Sequence, residues 1–176
     1  SKGSIYYVFD NNDNLLYQQE NTEYIQYVYI QGKHFARVDG SLISSQKKTY
    51  FYHTDHLGST VLVTNEGGNA VWSSEYTPFG ELTMEKGLLD NAAKFTGKDL
   101  DRDTGLYYYN ARWYDKDVGR FISEDTYQGE LKNPQSLNRY TYVLNNPLKY
   151  VVATGHYAIK DMWQSDIDYW QHPTAW

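Results

Sequence analysis

Side chains able to do chemistry are unevenly spread along this sequence. It contains no cysteine, so thiolate catalysis, disulfides and zinc–thiolate sites are excluded. His53, Asp55 and His56 crowd one short stretch. A His-x-x-His pair on a turn is a weak metal signal without a clear third donor. The preferred reading is a hydrogen-bonded turn, and no metal or cofactor is expected. Arg112, Arg120 and Arg139 carry planar guanidinium forks that fit a carboxylate. They could orient a catalytic acid or pair with structural aspartates, and pairing is preferred. Asp125 lies between them. Read on its own, Asp125 is a turn residue, since Asp readily initiates turns.

The elements that must position these groups read as β-structure. The chain has 176 residues with 19 Tyr, 5 Trp and 6 Phe, and aromatic residues make up 17% of it. Tyr favours strands and keeps its polar end hydrogen-bonded or wet. Strand-like runs at 4–9, 24–30, 50–53, 59–64 and 70–76 alternate with Asn/Asp/Gly clusters, a succession of β-hairpins spaced by roughly 20–25 residues. Residues 84–98 lack alternation and read as a loop with at most one helical turn. Residues 106–115 return to aromatic strand character. Residues 134–147 read as a short helix stopped by Asn145-Asn146-Pro147. Ile159, Trp163, Ile167 and Trp170 share one helical face and predict an amphipathic helix ended at His172-Pro173. Its apolar stripe is expected to dock on the chain's own core, since exposed Trp pairs make a sticky patch. The tyrosine ladder reads as cross-strand packing, with a sugar-stacking platform as the alternative.

Charge and hydropathy exclude further classes. The net charge of −6 and pI near 5.3 oppose nucleic-acid binding, which needs a basic face against phosphates. No run approaches the roughly 20 apolar residues of a membrane helix. There is no signal peptide, and the sequence enters a strand at once, so the chain is expected to begin inside a longer protein.

Several motifs in order resemble a known family. They are YHTDHLGS at 52–59, YTPFG at 76–80, FTGK at 95–98, DTGLYYYNARWYD at 103–115, GRFISED at 119–125 and NRYTYVLNNPLKY at 138–150. The first is similar to the tyrosine–aspartate (YD) repeat signature, and the set resembles the RHS repeat-associated core domain of polymorphic toxins. The resemblance covers about residues 50–155, and more weakly 4–49. It implies a mainly β fold in which antiparallel hairpins wind into a hollow shell closed by a C-terminal cap. The expected organisation is preceding repeats over 1–49, the core domain over 50–155, and a tail helix over 156–176 leading to or opening a toxin segment. The implied partners are the upstream repeats, a downstream toxin, and immunity or delivery proteins. The implied setting is a bacterial secreted, cell-surface or delivered effector.

The resemblance also implies self-cleavage by an aspartic-protease-like site at two Asp-Pro-x-Gly turns. The first turn maps to residues 125–129, where Asp125 is kept, Thr126 replaces Pro, and Gly129 lies one position late. The second maps to residues 152–155, where Val152 replaces Asp, Ala153 replaces Pro, and Gly155 remains. Cleavage would fall near Gly155, His156 and Tyr157, with Arg139 as an orienter of the acid. Val152 can neither donate nor accept a proton, so the expected state is an inactive remnant. The rival readings are an active autoprotease in which another acid such as Asp161 substitutes, and a surface module that binds carbohydrate or protein.

Overall fold

A computed structural model describes residues 4–11, 14–87, 89, 93–152, 155–156 and 159–160. The chain divides into two compact units, 1–100 and 101–176.

The first unit is built on a single antiparallel sheet of eight strands in chain order. These are β1 (Ile5–Phe9), β2 (Leu15–Glu20), β3 (Glu23–Ile30), β4 (Lys33–Ser41), β5 (Ser44–Thr54), β6 (Thr60–Asn65), β7 (Ala70–Tyr76) and β8 (Leu82–Gly87). Every strand pairs with its sequence neighbour. The turns explain why. Between β3 and β4 only Gln31 and Gly32 intervene, both at positive φ (51° and 73°), the two-residue turn whose twist matches that of the paired strands.

Later turns share one design. The N–H groups of Asp55, Asn65 and Thr77 bond the carbonyls of Ser59, Asn69 and Glu81 at 2.9–3.0 Å. Gly58, Gly68 and Gly80 close each turn with a bond back to the first residue's carbonyl. Each of those glycines has positive φ, a conformation without penalty only for glycine. The first residue's side-chain oxygen accepts the returning N–H, from Ser59 to Asp55 at 2.8 Å, Asn69 to Asn65 at 3.0 Å and Glu81 to Thr77 at 3.1 Å. Lys94 and Gly97 repeat the backbone pattern around the 3₁₀ turn Phe95–Gly97.

Tyr52, Val63 and Trp72 form the buried cluster of this sheet. Lys94 is 1% exposed; its ammonium pairs with Glu85 at 2.6 Å and lies 4.6 Å from the Trp72 ring centre. The Trp72 indole donates to the same Glu85 oxygen at 3.0 Å. These contacts account for one departure from the sequence reading. Residues 84–87, read as the start of a loop, are the end of strand β8, because Glu85 is tied to β7, and Gly87 lies where a Cβ would come 2.2 Å from the Val71 carbonyl. Asp99–Leu100 (β9) follows, and Asp99 bridges back to Ala93.

The second unit contains β10 (Leu106–Tyr108), β11 (Trp113–Asp115) and β12 (Arg120–Phe121), successive antiparallel partners. The aromatic run at 106–115 is therefore two strands. It reverses at Tyr109–Arg112, where Asn110 has φ 62° and the Tyr109 N–H bonds the Arg112 carbonyl. Tyr107, Tyr109, Tyr114, Phe121, Tyr142 and Val143 are buried. Tyr109, Tyr114, Phe121 and Tyr142 meet with ring centres 4.3–5.9 Å apart, mostly edge to face, the arrangement aromatic quadrupoles favour.

The helix expected over 134–147 resolves into two 3₁₀ turns, Pro134–Leu137 and Val143–Asn145. The chain between them is drawn out along β12, where the Phe121 N–H bonds the Tyr140 carbonyl and Thr141 bridges Arg120. The tail also departs from expectation. Ile159–Lys160 form β14 and pair with Tyr150–Val151 (β13) rather than opening a helix. A strand partner was already in place, and local periodicity yields to such pairing. Trp163, Ile167, Trp170 and Asp161 lie outside the described residues.

Candidate functional site

The site is assembled around Arg112, which the turn after β10 delivers into the second unit's core. Its guanidinium carbon stands 3.7 Å from the Phe121 ring centre. One nitrogen pairs with the Asp125 carboxylate at 2.8 Å, the two side chains being 4% and 9% exposed. Another donates to the Arg139 carbonyl at 3.0 Å. Nε donates to the Gly155 carbonyl, and the nitrogen that pairs with Asp125 also donates to the His156 carbonyl. Burial pulls the Arg112 pKa below its ordinary value, and the Asp125 charge partly offsets this. A guanidinium still stays charged, so a permanent cation is fixed beneath the backbone of residues 155–156.

Asp125 sits in the loop that leaves β12. Its N–H bonds the Arg139 carbonyl at 2.9 Å, which therefore receives both Asp125 and Arg112. Its Oδ1 accepts the Tyr127 N–H at 3.0 Å, an Asx turn that fixes the loop's direction. The sequence reading gave the orienting role to Arg139. The cation on the Asp125 carboxylate is instead Arg112; Arg139 donates to the Asp125 main-chain oxygen and pairs with Glu124 at 2.7 Å. The difference follows from burial. Arg112 is deep in the aromatic core, whereas the Arg139 side chain is 35% exposed at the rim. Tyr140 also donates to Glu124, at 3.2 Å. Arg120 is the register partner of Asp115 across β11 and β12.

The two turns expected to carry self-cleavage are differently equipped. At the first, Gly129 has φ 79° and a Cβ there would come 2.3 Å from the Ser136 carbonyl. At the second, Val152 is 2% exposed, an aliphatic group without a titratable proton. Gly155 has φ 80°, and a Cβ would meet the Tyr109 carbonyl at 1.9 Å. Ala153 and Tyr157 lie outside the described residues. The His156 ring is 40% exposed; its Nδ1 stands 3.5 Å from the Asp125 Oδ1 and 3.4 Å from the Thr126 hydroxyl. Sequence reasoning missed both the Arg112 grip on residues 155–156 and this histidine contact. The pairs are more than 30 residues apart in some cases, and no local pattern marks them.

The other sequence candidates have structural roles. His53 contacts the Thr64 hydroxyl at 3.0 Å. Asp55 is committed to its own turn through Leu57 and Ser59. Among the described residues no group of three or more His, Asp or Glu side chains converges for a metal, and no helix is long and apolar enough to cross a membrane.

A family model described as teneurin YD-shell matches residues 16–148. The tRNA3(Ser)-specific nuclease WapA of Bacillus spizizenii is 29% identical over 157 residues, covering 86% of this chain and 6% of the relative. Salivary gland surface protein 1 of Aedes aegypti is 32% identical over 163 residues, covering 88% of this chain and 5% of the relative. The crystal structure of TcdB2-TccC3 without its hypervariable C-terminal region superposes with a TM-score of 0.66 at 23% identity, covering 86% of this chain and 8% of that one. The chain thus spans less than a tenth of each of these proteins.

Proposed function

Since the chain belongs to the teneurin YD-shell family, we propose that it is a wall section of such a shell near its C-terminal closure. Its work is structural: it continues a β wall that encloses or presents a C-terminal effector segment. The observation that carries this reading is the eight-stranded meander in which every strand pairs with the next and one turn design recurs. Such a sheet extends by adding hairpins and has no internal reason to stop. The nuclease name of one relative and the hypervariable C-terminal region named for the similar structure support an effector downstream. Upstream repeats and that effector are the proposed partners, and a secreted or delivered bacterial protein is the proposed setting. Negative-stain imaging of the full-length parent should show a hollow particle; a solid globule or a flexible string of domains would remove the shell reading.

The self-cleavage site in this section is inactive. Asp125 keeps its carboxylate, paired with Arg112, but Val152 supplies no second acid. Intact mass of the purified chain should show full length. The Val152→Asp/Ala153→Pro double variant, checked for folding by circular dichroism, should cut near residues 155–157. Cleavage of the unaltered chain would overturn the inactive-site reading and direct attention to another acid such as Asp161.

A further inference from the structure

The outward face of the second unit's small sheet carries polar and aromatic groups that building a wall does not require. We propose that this face is a carbohydrate site: a groove beside Asp115 and Arg120 takes one neutral pyranose ring of a glycan, and the next ring stacks on the Tyr108–Trp113 pair.

Strand alternation separates the two faces. Tyr107, Tyr114 and Phe121 point inward and are buried. Their neighbours form two outward rows. In one, Tyr108 pairs with Trp113, whose carbonyl accepts the Ile122 N–H at 3.0 Å. In the other, Leu106 pairs with Asp115, and Asp115 with Arg120. Tyr140 runs alongside, since its carbonyl accepts the Phe121 N–H. Asp115, Val118, Arg120, Ile122 and Tyr140 line a groove of about 260 Å³. Pockets for drug-sized ligands begin at roughly 300 Å³, so this groove suits a single small ring.

Two polar groups in the groove are left unused by the fold. The Asp115 Oδ1 accepts the N–H groups of Asp117 and Val118 at 2.9 and 3.2 Å, while among the described residues its Oδ2 takes no hydrogen bond. Arg120 is exposed. Among the described residues its guanidinium makes no hydrogen bond or ion pair, although Asp115 is its register partner. A free acceptor and a free donor of opposite charge thus lie side by side. An anionic ligand meets repulsion from Asp115, and a cationic one from Arg120. A docked protein surface would have to bury both charges. Hydroxyl groups suit the pair, because each both donates and accepts, and a pyranose carries several around its rim. Its C–H groups need an apolar wall, and the negative face of an aromatic ring attracts them. Tyr140, Ile122 and Val118, all exposed, supply that wall. Two positions along β11, roughly 7 Å away, Trp113 and Tyr108 have ring centres 4.9 Å apart, within reach of a neighbouring sugar ring.

The test is a titration of the isotope-labelled intact chain with cellobiose, lactose, maltose and N,N′-diacetylchitobiose, followed by amide correlation NMR. At least one disaccharide should saturably shift the Trp113 indole and the amides of residues 113–122, with a Kd on the order of 1 mM. Arg120→Met keeps the aliphatic stem and removes the donors. Asp115→Asn keeps the turn bonds through Oδ1 and turns the free acceptor into a donor. Each should weaken binding at least about fivefold, as expected for losing one hydrogen bond. Tyr108→Ser should remove the advantage of the disaccharide over its monosaccharide. Arg120 and Tyr108 are exposed, and unshifted amides elsewhere in the spectrum report that each variant is folded. No saturable shift by about 50 mM, the result expected of a face that docks a protein, would overturn the site. So would shifts confined to other residues, or binding that none of the variants weakens. None of these results bears on whether the chain is part of a shell.

Discussion

The Arg112 guanidinium and the Asp125 carboxylate meet at 2.8 Å with both side chains almost wholly removed from solvent. Buried ion pairs seldom add net stability, but breaking one leaves an uncompensated charge in the interior. Arg112→Ala should therefore cost about 3–5 kcal/mol, and more of the second unit than a surface change would disturb. Arg112→Lys should recover little, because an ammonium cannot serve several separate acceptors and stack on Phe121 at once. Urea unfolding monitored by circular dichroism measures both.

Gly155→Ala should be disruptive out of proportion to its size. The residue has φ 80°, and the added Cβ would lie 1.9 Å from the Tyr109 carbonyl. Left-handed strain alone costs on the order of 1 kcal/mol, and the clash must move either the 109–111 turn or the segment itself. Hydrogen exchange at residues 150–160 should rise sharply while the first unit's exchange is unchanged.

His34 should make the first unit acid-sensitive. Its ring packs among Tyr27, Tyr29 and Tyr52. Burial, with a smaller contribution from the Lys98 charge, lowers its pKa from 6.5 to about 4. The folded state thus resists a proton that the unfolded state accepts. The stability is present above the unfolded value and falls with pH across the window from 6.5 to about 4. The full loss is about 3 kcal/mol at 1.36 kcal/mol per pKa unit. Asp99, whose carboxyl is raised mainly by burial, acts with the opposite sign. The diagnostic quantity is therefore the difference between wild type and His34→Phe, which should flatten the pH dependence in this window.

Lys94 tests the buried cation over Trp72. Lys94→Met keeps most of the stem but removes the charge. Glu85 retains the Trp72 indole bond and is 29% exposed, so the loss should stay near 1–2 kcal/mol. Lys94→Glu would set two carboxylates together and should cost at least about 3 kcal/mol. Denaturant midpoints followed by Trp fluorescence distinguish the two.

The parts of this fold legible in the sequence are those specified locally. The turn at Gln31-Gly32 and those starting at Asp55 and Asn65 are written in residues that accept positive φ or bond their own backbone, and the strands between them follow. What escaped was set by distant partners. Residues 84–87 extend a strand through Glu85 and Gly87 meeting β7, and Ile159–Lys160 pair with β13 despite a helical spacing of apolar residues. The site divides the same way. Asp125 and Val152 could be singled out from motif order, but the choice of Arg112 over Arg139 as the carboxylate's partner depends on which guanidinium the aromatic core engulfs.

The match between strand order and chain order in the eight-stranded sheet has a consequence for synthesis. No strand there waits for a partner from a distant part of the sequence, so the ribosome delivers each one next to an edge already made. A hairpin closes in roughly microseconds, whereas translation supplies about 5–20 residues per second. The sheet should assemble from its amino-terminal side as it emerges, exposing one growing edge at a time.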